Sequence, residues 1–191
     1  MYIKHMAISL AAAIFCSAAH ASPVTYDVDP NHSRPAFAYD HFGFSTQVAR
    51  FDKMSGKVVL DEDAKTGSMD LVIDMTSLDS GLPLLDRHLK SADFFDVSSH
   101  PTAEFKSTHI TFDGDRPTSI NGYLTLNGIS QPVTFMVTAY KHGPHGMLQN
   151  RDSIGGNVVA TVSRSAFGLG RYTPDVSDTV NLNVGLEATR D

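Results

Sequence analysis

The stretch Thr179-Val180-Asn181-Leu182-Asn183-Val184-Gly185-Leu186-Glu187-Ala188 alternates, residue by residue, between an apolar set and a polar or small set. Successive side chains of a β-strand point to opposite faces, so this alternation predicts a strand with one apolar and one solvated face. Two earlier stretches, 68–76 and 134–139, alternate in a similar way. The chain is therefore expected to form sheets whose apolar faces need a covering layer.

Strand-forming runs occupy most of the remaining sequence. Further strands are predicted at residues 24–29, 35–42, 46–54, 56–61, 103–112, 120–126 and 156–163. Turn sequences such as Asn127-Gly128, which suits a two-residue hairpin, separate these runs. Helical spacing of apolar residues is found at 83–95, where one short helix is predicted.

One short helix cannot cover eight or more strands. The apolar faces must therefore meet each other, either as a sandwich or as a closed barrel. Short connections between the strands imply an antiparallel order. We expect an all-β fold: an antiparallel barrel of eight or slightly more strands with one short helix at an end.

The first 21 residues are typical of a cleaved signal peptide. Lys4 supplies a basic start, residues 7–18 are apolar, and Ala19-His20-Ala21 has the small-x-small pattern of a cleavage site. The apolar run is too short to cross about 30 Å of hydrocarbon as a stable anchor. The alternative is an N-terminal anchor or a buried helix. We expect cleavage after Ala21, export of the protein, and one domain over residues 22–191.

Composition argues against several functional classes. The only cysteine, Cys16, lies in the predicted leader, so the domain has no thiol for a disulfide, a metal or a nucleophile. Removal of Lys4 with the leader takes the formal charge from −6 to −7. A surface of this sign repels phosphate backbones, and no nucleic-acid partner is expected.

No catalytic motif is present, since the chain lacks a G-x-S-x-G elbow, an H-E-x-x-H pair and a phosphate loop. We predict no catalytic residues, no cofactor and no enzyme activity, with a hydrolase as the less favoured alternative. His142 and His145, with His109 elsewhere, are fewer ligands than the three or four that a zinc site needs. Asp61-Glu62-Asp63 lacks the later glutamate of a calcium loop. No metal site is predicted.

The interior of the barrel decides the function. An eight-stranded barrel is just wide enough for its own side chains or for one slender ligand. The chain has 11 Phe, 6 Tyr and 7 Met, which suit either an apolar guest or a dry packed core. The pattern leaves both open. The candidate lining residues lie on the alternating apolar faces: Phe37, Tyr39, Leu71, Ile73, Leu124, Leu126, Phe135, Val137, Val158, Ala160, Leu182 and Val184.

Several blocks of sequence, in order across the whole domain, resemble the YceI-like family. The blocks are Asn31-His32-Ser33, His41-Phe42-Gly43-Phe44-Ser45, Asp86-Arg87-His88-Leu89-Lys90-Ser91-Ala92-Asp93-Phe94-Phe95-Asp96, His100-Pro101-Thr102-Ala103-Glu104-Phe105-Lys106-Ser107, Gly122-Tyr123-Leu124-Thr125-Leu126-Asn127-Gly128-Ile129-Ser130-Gln131-Pro132-Val133 and Ser163-Arg164-Ser165-Ala166-Phe167-Gly168-Leu169. The chain departs from the family at Leu85, where an arginine is usual, and at Ala49-Arg50, where glycine is common.

The resemblance implies a periplasmic, lipocalin-like barrel that holds a polyisoprenoid, such as an isoprenoid quinone or polyprenyl lipid, or a fatty-acid-like lipid. It also suggests a homodimer, transient contact with a membrane or with a membrane protein that uses quinones, and a role in transport or stress response. The alternative is a barrel with a packed core that acts as a structural or stress-response interaction protein.

The segment that follows Pro83 is a candidate lid at the mouth of the barrel. Its apolar side chains, from Leu85, Leu89, Phe94 and Phe95, are expected to plug one end. Its polar side chains are expected to face outward or toward an entrance: Asp86, Arg87, His88 and Lys90. Two interpretations stay open, a purely structural lid and a gate at which Arg87, His88 or Lys90 meets the polar head of a ligand.

Overall fold

The computed structural model describes residues 22–190, and the predicted signal peptide at 1–21 lies outside the described residues. Eleven strands and one α-helix lie within this range: β1 (Val24–Val28), β2 (Arg34–His41), β3 (Ser45–Phe51), β4 (Met54–Asp61), β5 (Thr66–Asp74), β6 (Leu78–Asp79), α1 (Pro83–Lys90), β7 (Thr102–Asp113), β8 (Arg116–Leu126), β9 (Ile129–His145), β10 (Arg151–Ser163) and β11 (Val176–Thr189). Two 3-10 turns, Met75–Ser77 and Arg164–Phe167, complete the regular structure of this range.

All eleven strands belong to one antiparallel sheet, which closes on itself because β1 pairs with both β4 and β11. Three walls of the barrel are each broken in two, so that β2 prolongs β1, β4 prolongs β3, and β6 prolongs β5. With β7 to β11 these make eight staves, a stave being one full-length wall segment. The prediction of a closed, eight-stranded antiparallel barrel with one helix is confirmed.

A single serine spans the break in the first stave. β1 ends beside Ala188 of β11, and β2 begins beside Gly185, so Glu187 faces the gap. The Ser33 hydroxyl donates to the Glu187 carbonyl at 3.1 Å and accepts from the Glu187 N–H at 3.0 Å. The Asp29 N–H also donates to that carbonyl, at 2.8 Å. Ser33 is fully buried, and its side chain takes the place of a strand partner.

The stretch that predicted the first strand behaves as its alternation requires. In β11, Val180 and Ala188 are buried and the apolar residues between them are partly buried, whereas Thr179, Asn181 and Asn183 are exposed. The inward face packs into the hydrophobic core and the outward face meets solvent. Period two is therefore maintained along the strand past the break between β1 and β2 in its neighbouring stave.

The strand predicted at 46–54 is interrupted instead of continuous. The N–H groups of Asp52 and Lys53 donate to the carbonyl and the hydroxyl of Ser77, at 3.2 and 3.1 Å. These hydrogen bonds to the 3-10 turn that contains Ser77 interrupt the strand, and β4 starts at Met54. The strand propensity of residues 46–54 does not predict this interruption, because the hydrogen-bond partner lies more than twenty residues later.

The helix predicted at 83–95 is shorter and ends at Lys90. Ser91 adopts an extended conformation, and its hydroxyl donates to the His88 carbonyl at 2.7 Å. Residues 91–99 continue as turns, with a positive φ of 39° at Asp96. Across the described residues, no helix is long and apolar enough to cross a bilayer.

Candidate functional site

The barrel contains a cavity of about 400 Å³, which we call the upper chamber. It opens toward the end of the barrel that carries α1 and the hairpin between β2 and β3. Nine of the twelve predicted lining residues border it: Phe37, Tyr39, Leu71, Ile73, Leu124, Leu126, Phe135, Leu182 and Val184. The apolar faces of the alternating strands thus point inward and surround open space.

A second cavity of about 80 Å³, the lower chamber, lies toward the other end. Val137 and Val158 border this chamber and not the upper one. Ala160 borders neither chamber, because its short side chain is buried within the core. The predicted lining set therefore divides between two spaces, with one member in the packed wall.

Sequence reasoning omitted several residues that border the upper chamber, among them Met54, Met75 and Phe105. Phe105 could have been found, since Ala103-Glu104-Phe105-Lys106 alternates by the same period-two rule. Met75 could have been found in the same way, because it continues the alternation of residues 68–76, although in the structure it lies in a 3-10 turn after β5.

Helix α1 and the turns after it lie at the mouth of the upper chamber. His88, Leu89, Phe94 and Phe95 border the chamber, and so does Leu85. The apolar side chain at position 85 thus adds to the apolar wall of the chamber. The Asn127 amide donates to the Phe94 carbonyl at 2.9 Å and ties these turns to the hairpin between β8 and β9.

The other three predicted lid residues, Asp86, Arg87 and Lys90, do not border the chamber. Asp86 accepts from the Ser80 N–H at 2.8 Å and from the Ser80 hydroxyl at 2.5 Å, and these hydrogen bonds lower the pKa of its carboxyl. Arg87 is exposed and Lys90 is partly exposed. Asp86 therefore anchors the start of the helix.

The polar side chains that border the upper chamber are Tyr39, His41, His88, Arg164 and Tyr172, and no aspartate or glutamate of residues 22–190 joins them. Burial raises the pKa of the Tyr39 hydroxyl, which keeps it a hydrogen-bond donor at neutral pH. The polar groups around this chamber are thus two phenols, two imidazoles and one guanidinium, without a carboxylate.

Arg164 holds the loop that forms one side of the mouth. Its guanidinium donates to the carbonyls of Ser177 at 2.8 Å and Val176 at 2.7 Å, to the Thr173 hydroxyl at 3.0 Å, and to the Leu169 carbonyl. Burial lowers the pKa of Arg164. With most of its donors occupied, the side chain shapes the mouth more than it offers a free charge.

A polar network closes the lower end. His142 lies between two carboxylates, with Nδ1 at 2.9 Å from Glu62 and Nε2 at 2.7 Å from Asp152. Tyr140 donates to Glu62 at 3.2 Å, and Tyr26 donates to Asp152 at 3.1 Å. Burial and the Asp152 carboxylate raise the pKa of Tyr26 to about 12. Both ring nitrogens of His142 therefore contact carboxylates. His142 was not predicted to bind a metal, and in the structure its partners are Glu62 and Asp152.

Asp29, His32 and Glu187 form a second polar group, with one potential ligand atom from each within 4.8 Å of the others. His32 Nδ1 lies 2.7 Å from Asp29 Oδ2, and His145 Nε2 lies 3.7 Å from Glu187 Oε2. His32 is exposed, and its contact with Asp29 is an ordinary ion pair when the ring is protonated. The absence of a metal site stays a prediction.

Comparison with known proteins places this geometry in a family. The model of the YceI-like domain matches residues 26–188. A UPF0312 protein of Pseudomonas aeruginosa is 33% identical over 189 residues, 96% of each chain. A UPF0312 protein of Shewanella denitrificans is 30% identical over 167 residues, 86% of this chain and 84% of the other.

Solved structures share the fold. BcnA of Burkholderia cenocepacia is 28% identical with a TM-score of 0.70, covering 85% of this chain and 99% of its own. A polyisoprenoid binding domain from Saccharophagus degradans, implicated in plant cell wall breakdown, is 17% identical with a TM-score of 0.64, covering 88% and 99%. Because the family model matches residues 26–188, nearly the whole barrel, the chain belongs to the YceI-like domain family.

Proposed function

We propose that this protein binds the tail of a long apolar lipid in the upper chamber and acts as a carrier, without catalysing a reaction. The observation that carries the proposal is the cavity of about 400 Å³ inside the barrel, whose border is apolar apart from a few polar groups. Pockets of 300–1,000 Å³ with mostly apolar linings are typical of small-molecule sites. A dry packed core would have no such space.

The energetics suit reversible carriage. Removing a methylene-sized group from water is worth about 0.8 kcal/mol. A lipid whose tail has a dozen such groups can therefore bind at a concentration well below its aqueous solubility. A bilayer solvates the same tail equally well, and the net transfer from membrane to protein is small. A protein in this balance takes up a lipid and gives it up again, as a carrier must.

A polyisoprenoid, such as a quinone or a polyprenyl lipid, is our first candidate ligand, and a fatty-acid-like lipid is the second. The shared fold of the Saccharophagus domain, which binds a polyisoprenoid by its name, supports this choice. We propose a periplasmic location because residues 1–21 are predicted to be a cleaved signal peptide. Transient contact with a membrane is part of the proposal, supported by Phe44 and Leu84, which are 90% and 75% exposed near the mouth.

Organic extraction of the purified protein, followed by mass spectrometry, tests the proposal. We expect a co-purified lipid at a substantial fraction of the protein concentration. Leu182→Trp, which narrows the upper chamber, is expected to reduce the amount of this lipid. Val48→Trp is the matched control, because Val48 is 60% exposed on β3. Extracts of the unaltered protein that contain no lipid, together with no binding of added lipid, would contradict the proposal and favour a structural barrel.

We also propose that α1 gates the upper chamber. Leu89 is the buried residue of the helix and borders the chamber. A charge there is expected to displace the helix, so Leu89→Asp changes the rate of lipid release from the protein to vesicles. Arg87→Asp, an exposed change on the same helix, is the control. Equal release rates for Leu89→Asp and the unaltered protein would leave α1 as a fixed part of the wall.

A further inference from the structure

The two chambers are separated by four side chains that border both of them: Leu71, Phe105, Phe135 and Val184. We call this group the partition. The rings of Phe105 and Phe135 meet edge to face, with centroids 5.1 Å apart and planes at 89°. Both phenylalanines are buried, at 3% and 7% exposure. The lumen is therefore one apolar channel interrupted by a pair of packed rings.

The position of the partition is built into the wall. Phe105 lies against Gly122 of β8, where a Cβ atom would stand 2.6 Å from the Phe105 Cζ and 2.4 Å from the Lys106 carbonyl oxygen. Only a residue without a side chain leaves room for the ring at this height. Phe135 holds the ring from β9. The floor of the upper chamber is consequently fixed by three neighbouring strands.

The space beyond the partition is apolar. Val58, Ile110, Val137 and Val158 are among its borders, and Tyr140 lies at its far side, where it donates to Glu62. Its volume of about 80 Å³ is several times the roughly 15 Å³ that one water needs. A lipid tail that could pass the rings would find a continuation of the same kind of surface.

We propose that the Phe105–Phe135 pair sets the length of the apolar tail that the protein accepts, by stopping its end at the partition. This inference rests on the proposed function. Within the upper chamber, each added methylene of a ligand strengthens binding from water about fourfold, which corresponds to ~0.8 kcal/mol. Once the tail reaches the rings, further methylenes remain at the mouth and add little.

Binding of a series of saturated fatty acids tests this inference. Affinities are measured with the purified full-length domain, below the micelle concentration of each acid, by displacement of a fluorescent lipid probe. The unaltered protein is expected to show affinity rising with chain length and then a break. In Phe135→Ala the break is expected to move by at least two methylenes, so that the longest acids gain roughly tenfold or more.

Two further variants keep the test decisive. Phe135→Leu shortens the same side chain with less loss of packing, and a smaller shift in the same direction is expected if Phe135→Ala fails to fold. Adding Val158→Phe to either variant fills the lower chamber from its own wall, and the break is expected to return. Phe112→Ala is the control, because Phe112 is on β7 like Phe105 but borders neither chamber.

The outcomes are separable. A break at the same length in the unaltered protein and in Phe135→Leu and Phe135→Ala, with binding intact, would overturn the role of the rings and leave the lipid-binding proposal standing. A shift that Phe112→Ala reproduces would overturn it as well. No binding of any acid by the unaltered protein would overturn this inference, whereas the lipid-binding proposal would still be decided by organic extraction.

Discussion

Replacing Ser33 with alanine is expected to destabilise the barrel by about 2–3 kcal/mol. The hydroxyl makes two hydrogen bonds to Glu187, each with a net worth of about 1 kcal/mol. The carbonyl of Glu187 keeps the Asp29 N–H at 2.8 Å, but its own N–H loses the Ser33 acceptor in a buried place, which adds roughly 1 kcal/mol or more. For a domain of this size the loss corresponds to a fall in Tm of roughly 4–12 °C.

Urea unfolding followed by far-UV circular dichroism measures the effect as a change in the free energy of unfolding. Ser68→Ala is the matched control, because Ser68 is exposed on β5 and makes no side-chain hydrogen bond among the described residues. The control is expected to stay within about 0.5 kcal/mol of the unaltered protein. A loss below about 0.5 kcal/mol for Ser33→Ala would refute the view that its side chain replaces a strand partner.

Three other perturbations follow from contacts in the wall. Gly122→Ala places a Cβ 2.4 Å from the Lys106 carbonyl oxygen and is expected to cost about 1–3 kcal/mol in urea unfolding, whereas Gly146→Ala, with no atom within 4 Å, leaves stability unchanged. The pKa of Tyr26, raised to about 12, implies a contribution to stability that is complete below about pH 10 and is lost as the pH rises toward 12. Because the pKa values of Tyr39 and Tyr140 are raised as well, Tyr26→Phe is expected to lessen the alkaline decline in unfolding titrations without abolishing it, and an identical decline in the variant would contradict this. Arg164→Lys removes the planar guanidinium that donates to four acceptors, so faster amide hydrogen exchange is expected at residues 168–176. Unchanged exchange would show that the loop keeps its conformation without Arg164.

The parts of the fold that depend on local alternation could be predicted. The period-two pattern of β11 gave the direction of its side chains, and the single short helix ruled out a layer of helices over the sheet. The strand breaks could not be predicted in this way. They depend on Ser33 and Ser77, each of which satisfies backbone groups of a segment distant in sequence.

The candidate site was predictable at the level of faces and not of volumes. Alternation identified the inward side chains, yet whether they fill the centre depends on the summed size of side chains from all eight staves. Val137 and Leu124 have the same pattern in sequence, but the Phe105–Phe135 pair places them in different chambers. The register between neighbouring strands decides that separation, and it is absent from any single strand.

Because three staves are broken, the strands of the wall differ in how fully they are hydrogen-bonded to their neighbours. β2, β3 and β6 form a flap that pairs with the rest of the sheet through the β2–β11 contact, and β6, at the outer end of the flap, pairs only with β3 among the described strands. Local opening that starts at β6 breaks only its two-residue pairing with β3, and its free energy lies below that of global unfolding. The wall next to β6 can therefore open locally while the strands on the opposite side of the barrel stay paired.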